Sequence, residues 1–145
     1  MSKKLLLRLA CLAVPFRLLA HGDLHDQIDA VSKEILTAPE SGALYLRRAE
    51  LRRAHDEWAP ALLDYARAEE LKADTDIIHL GRGKLFLATG EAKKACADLD
   101  PLIEKTPMHV DARATRARAR VKIGDNPGAV VDYSAAISRG APRHR

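Results

Sequence analysis

The sequence predicts an all-α protein built from stacked helical hairpins, and three observations predict it. Alanine and leucine abound while aromatics make up only 4% of the 145 residues. That mix favours packed helices, since strands draw on β-branched and aromatic side chains. Small residues recur at a fixed step: Ala61, Ala95 and Ala129 stand 34 apart, as do Ala49, Gly83 and Ala117. The turn-forming residues Asp56, Gly90 and Gly124 keep the same step. A period of this length suits one helix–turn–helix unit that hides its apolar flank against its neighbours.

Each phase has a physical reason. A small residue at 49, 83 and 117 lets the first helix of a hairpin approach its neighbour, and one at 61, 95 and 129 does so for the second. Tyr65, Leu99 and Tyr133 then fill the space between, as close packing requires, and Ala68, Leu102 and Ala136 follow in step. Gly90 and Gly124 can take the left-handed conformation that ends a helix, and Asp56 does so at greater cost. Pro39 and Pro107 lie two periods apart and close second helices; Pro142 falls one residue beyond the next such position. The hairpins are expected to pair 42–55 with 57–72, 76–89 with 91–105, and 110–123 with 125–139. As units they occupy residues 42–75, 76–109 and 110–142, with 143–145 a basic tail.

Upstream, Leu24, Ile28, Val31 and Ile35 recur at helical spacing. Residues 23–39 read as a lone second-helix half-unit that caps the first hairpin. Asp23, Asp26 and Asp29 suit a helix N-terminus. Residues 1–22 read as a signal peptide: Lys3 and Lys4 precede a mostly apolar stretch from Leu5 to Ala20, and Ala20-His21-Gly22 offers small residues for a cut. A periplasmic or secreted bacterial protein is expected, the alternative being a cytoplasmic one with an uncleaved basic leader. Arg8 and Arg17 leave only Leu9 to Phe16 uninterrupted. A bilayer span needs about 20 residues, so no stable span is expected in the mature form.

The repeat resembles the tetratricopeptide family. Tyr45-Leu46-Arg47-Arg48-Ala49-Glu50-Leu51 is similar to that family's first-helix motif, and the stretch from Trp58 to Ala68 is similar to its second. The resemblance covers about residues 42 to 142 and implies a right-handed α–α superhelix (a solenoid) of three hairpins plus the N-terminal capping helix. It also implies that the first helices line a concave groove. The chain departs from the pattern at Arg48 and Arg116, where leucine is usual, and at His79 and Arg113, where a bulky apolar residue is common. Pro101 falls inside a second helix and is expected to remove a backbone bond and kink it.

Composition narrows function. The formal net charge is +4, but Lys3, Lys4, Arg8 and Arg17 carry it, leaving 4 − 4 = 0 for the remainder. That balance and the scarcity of stacking aromatics argue against nucleic-acid binding. No Gly-rich phosphate loop, HExxH or GxSxG occurs, so neither an enzyme nor a cofactor is expected. Cys11 and Cys96 make no disulfide framework, and Cys96 reads as a small buried hydrophobe. His21, Asp23, His25 and Asp26 crowd six residues. A cut site followed by a helix start is the favoured reading there, with a metal- or redox-linked accessory role as the alternative. His55 and His79 read as helix-surface or seam residues.

The first helices are basic and the second lean acidic, with Glu57, Asp64, Glu69 and Glu70 in the first pair and Asp98, Asp100 and Glu104 in the next. By the resemblance, Leu46, Arg47, Glu50 and Arg53 face the groove in unit one, Leu80, Lys84 and Leu87 in unit two, and Ala114, Arg118 and Lys122 in unit three. Such a trough suits a protein or extended peptide bearing carboxylates, since guanidinium grips carboxylate bidentately. The competing reading pairs these arginines with acids on adjacent helices. A scaffold or adaptor is therefore expected, and Val130, Val131 and Ile137 leave apolar surface for self-association.

Overall fold

A computed structural model describes the backbone over residues 16–140 and the side chains over 23–138. Seven helices and no strand are present among the described residues: α1 (Phe16–Thr37), α2 (Gly42–Ala54), α3 (Trp58–Glu70), α4 (Thr75–Ala88), α5 (Ala92–Lys105), α6 (Val110–Lys122) and α7 (Asn126–Gly140). The fold is all-α, and α2–α3, α4–α5 and α6–α7 are the expected hairpins, each within a few residues of its expected bounds. Helix α1 begins at Phe16, upstream of the expected start at 23, and runs unbroken past Gly22. The leader before Phe16, Pro142 and the basic tail lie outside the described residues.

The three hairpin turns share one geometry. Asp56, Gly90 and Gly124 adopt φ of 63°, 84° and 83°. The residue after each donates its N–H five positions back, Glu57 to Arg52 O at 2.9 Å, Glu91 to Phe86 O at 2.8 Å and Asp125 to Arg120 O at 2.9 Å. That is the Schellman closure, which satisfies carbonyls a helix end leaves open. The connection after α3 closes the same way, with Lys72 at φ 60° and Ala73 N bonding Ala68 O at 2.9 Å; nothing in the 34-residue pattern foretold a left-handed lysine. Asp74 then caps α4 through the N–H groups of Asp76 and Ile77, and His109 caps α6 through Ala112 N.

The packing follows the phases. Ala49, Ala61, Ala95 and Ala117 are wholly buried, as are Tyr65 and Leu99, and Ala129 nearly so. One cluster joins Leu46, Tyr65, Ala68, Ile78 and Leu85 across α2, α3 and α4. A second joins Leu99, Leu102 and Ile103 to Ala112 with Leu80 against it, and a third joins Ala92 and Ala95 to Ala119. Consecutive helices pack throughout. Across hairpins α2 also touches α4, and α4 touches α6, whereas α3, α5 and α7 do not touch one another. Helix α1 packs on α2 through Ile28, Val31 and Ile35, the residues its spacing marked.

Pro101 lies inside a second helix, as expected. Helix α5 runs through it without a break. The proline and Ala97, whose carbonyl loses its partner, are both exposed, so water can satisfy the freed oxygen and the usual penalty for an interior proline is relieved.

The turns generate a stability prediction. No neighbour lies near a Cβ added at Gly124, so Gly124→Ala tests backbone conformation alone and should cost about 1–2 kcal/mol. Asp56→Gly should raise stability, by about 0.5 kcal/mol. Urea midpoints at constant slope read both effects; a neutral Gly124→Ala would contradict the shared turn geometry.

Candidate functional site

The basic first helices split into two sets. In each hairpin an arginine of the first helix meets an aspartate of the second, sixteen residues on, through a two-pronged bridge. Arg48 donates from Nε and Nη2 to the two Asp64 oxygens, both at 2.8 Å. Arg82 does so to Asp98 at 3.1 and 2.7 Å, and Arg116 to Asp132 at 2.8 and 2.8 Å. The third prong, Nη1, reaches back to the preceding second helix or its equivalent: Arg48 to Ser32 Oγ at 3.1 Å, Arg82 to Glu69 at 2.8 Å, and Arg116 to Asp100 at 2.7 Å. Each arginine therefore ties three helices.

Further donors crowd the same carboxylates. Arg52 joins Asp64 at 2.8 Å, and Arg120 joins Asp132 at 2.9 Å. His79 Nδ1 lies 3.3 Å from Asp98, and Arg113 Nη1 lies 2.8 Å from Asp132. The residues that depart from the family pattern, Arg48, His79, Arg113 and Arg116, are all members of these clusters. Asp64 and Asp132 are buried. Burial pushes the Asp132 carboxyl up, but hydrogen bonding to Arg116 and the charges of Arg116, Arg120 and Arg113 outweigh it and hold the group below its ordinary value. Hydrogen bonding to Asp132 in turn pushes the Arg116 pKa up against the opposing effect of burial.

The expected groove residues fare differently. Leu46 is a correction: at 7% exposure it belongs to the core, in one cluster with Tyr65 of α3 and Ile78 of α4. Glu50 and Arg53 bond each other at 2.8 Å, and Glu50 accepts the buried Tyr65 hydroxyl. Burial first, and the Glu50 carboxylate next, push that phenol well above its usual pKa. Gly81 packs against this group, where any Cβ would strike Glu50 and the Tyr65 hydroxyl. Arg47 is exposed and sits 3.4 Å from Glu34, and Lys84 is 3.7 Å from Asp111. Leu80 and Leu87 are half-buried against the second and third clusters.

Arg118 and Lys122 are exposed and have no ion-pair or hydrogen-bond partner among the described residues. Two exposed apolar residues share this face at helical spacing, Ile77 with Leu80 and Lys84, and Val121 with Arg118. Neither was among the residues expected to face a groove. A cleft of about 400 Å³ opens beside the second turn, lined by Gly90, Glu91, Lys93, Lys122 and Ile123 among others.

In the N-terminal cluster, the described side chains make only local contacts. His25 lies 3.7 Å from Asp29 on exposed surface, Asp23 accepts from Gln27 at 3.0 Å, and the His21 side chain lies outside the described residues. No three His, Cys, Asp or Glu side chains among the described residues are placed to hold a metal ion. Cys96 is half-buried, and burial pushes its thiol pKa up. No family model and no curated protein matches the chain.

Asp132→Asn keeps the shape and removes the charge that three arginines share. It should cost about 3 kcal/mol or more, because it strands partly buried cations. The exposed Asp100→Asn should cost under about 1 kcal/mol. Since the folded Asp132 pKa is depressed, its contribution is full above the ordinary carboxylate range and lost as pH falls through the folded value. The gap between wild type and Asp132→Asn should therefore be constant above about pH 5 and close below about pH 4. Chemical denaturation across pH reads it; an Asp132→Asn cost no larger than that of Asp100→Asn would contradict the bridge.

Proposed function

We propose that this chain is an interaction module of the tetratricopeptide type, a right-handed superhelix whose first helices line a groove for an extended, acidic protein segment. Contacts between α2 and α4 and between α4 and α6, without matching contacts among α3, α5 and α7, support placing the first helices on the inner side. A small repeat domain of this kind acts by holding a partner, and the site offers no nucleophile–base set.

One observation carries the choice of ligand. Arg118 and Lys122 are the cations of the first-helix layer that hold no carboxylate among the described residues. They stand beside the exposed Val121, with the half-buried Leu87 on the neighbouring first helix and Lys84 held only loosely, at 3.7 Å, by Asp111. A segment that sets an acid against Arg118 and Lys122 and an apolar side chain against Leu87 and Val121 satisfies both kinds of surface. The groove is therefore graded, closed by internal pairs in unit one and open to anions in unit three. Export through residues 1–22, to a periplasmic or extracellular site of action, belongs to the same proposal. No helix among the described residues is long and apolar enough to cross a membrane.

The charge reversals Arg118→Glu and Lys122→Glu together should weaken binding of short acidic peptides by about tenfold or more, with the wild-type affinity itself falling as salt rises. Fluorescence anisotropy on a library of acidic peptides measures it, with circular dichroism as the check on folding. Unchanged affinity in a folded double variant, or no binding to any peptide of the library, would contradict the groove.

A further inference from the structure

Helix α7 carries an apolar stripe that its own repeat period marks as uncovered. Tyr133 is 37% exposed, although Tyr65 and Leu99 in the same phase are fully buried. Ile137 is 68% exposed, whereas Ile103, one period earlier, is 5% exposed. Val130 is 63% exposed, and its counterpart Cys96 is half-buried. In the earlier unit the cover is α6, which packs on Leu99, Leu102 and Ile103 through Ala112. Among the described elements α7 packs on α6 alone. The stripe is therefore a surface shaped to receive another helix.

Charge selects the occupant. Every exposed side chain described on α7 is uncharged, and its one acid, Asp132, is buried among arginines. A groove ligand of acidic character gains nothing there. Charged side chains line three other helices of a second copy: α1 presents Asp23, Asp26, Asp29 and Glu34, α5 presents Lys93, Lys94 and Glu104, and α6 presents Arg118 and Lys122. Helix α3 offers Leu63 between the small Ala59 and Ala66, so the face that sets several large apolar side chains against the stripe without burying an unpaired charge is the stripe itself. We infer that the α7 face formed by Val130, Tyr133 and Ile137 pairs with the same face of a second copy of this chain about a two-fold axis. Such isologous pairing closes at two subunits and needs no second kind of surface. A single helix face lies at the small end of stable interfaces, so the dimer is weak, in the micromolar range.

Sedimentation equilibrium on the full chain, from about 5 to about 500 µM, tests this. Wild type should pass from monomer to dimer within that range and go no further. Val130→Lys with Ile137→Lys, both at exposed positions, should remain monomeric throughout with unchanged circular dichroism. Leu63→Lys, at an exposed apolar residue on α3 away from the stripe, should dimerise like wild type. The groove variant Arg118→Glu with Lys122→Glu should also still dimerise, which separates this inference from the peptide groove. A wild type that stays monomeric, forms open-ended oligomers, or dimerises as well with the two lysines would overturn the proposal. So would loss of the dimer in Leu63→Lys.

Discussion

The fold depends on a guanidinium that meets a carboxylate inside each helical hairpin. A planar fork can engage both oxygens of a carboxylate only in one relative placement. Arg48 with Asp64, Arg82 with Asp98, and Arg116 with Asp132 each impose that placement between the two helices of a hairpin. The third prong imposes it on the element before. An apolar seam tolerates sliding because contact is non-directional, whereas a seam riveted once per unit does not. The desolvation that such pairs demand is offset because no carboxylate here is left with one donor. Asp132 accepts from three arginines, and Asp64 from two.

The same bridges decide what the surface can do. By composition the first-helix layer is strongly basic, and taken residue by residue it offers a continuous positive trough. Six of its arginines, at 48, 52, 82, 113, 116 and 120, are committed to the aspartate row. Arg53 is held by Glu50. What remains open sits at one end, at Arg118 and Lys122, beside half-buried and exposed apolar side chains. The proposed polarity of the groove is thus a consequence of internal pairing and not of net charge, which sums to zero beyond residue 22.

Much of the architecture was legible because small residues and turn residues carry position-specific steric information. Asp56, Gly90 and Gly124 marked the turns, and Ala61, Ala95 and Ala129 marked the close approaches. The helical spacing of α1 was legible in its apolar residues, and Ser32 accepts from Arg48 as Asp100, two periods on, accepts from Arg116. The bridge row was equally periodic, since Arg48, Arg82 and Arg116 step with Asp64, Asp98 and Asp132. The competing reading, arginines paired with acids on adjacent helices, anticipated it without naming the partners, because each arginine was judged singly and only the charged pair shows the common step. Leu46 was misplaced for a different reason: the resemblance alone assigned it to a groove, whereas it clusters in the core with Tyr65 and Ile78. The left-handed Lys72 gives no residue-type signal, since lysine has no preference for that conformation; its turn shows only in the bond from Ala73 N to Ala68 O.

The middle hairpin offers the cleanest test of the bridge, because Arg82 is the sole arginine on Asp98. A double-mutant cycle with Arg82→Leu, Asp98→Leu and the pair, followed by chemical denaturation, measures their coupling directly. Each single change should strand a charge and the double variant should recover much of the loss, giving a coupling of about 1.5–3 kcal/mol. Additive costs, with coupling near zero, would mean that the helices are held by their apolar seams alone.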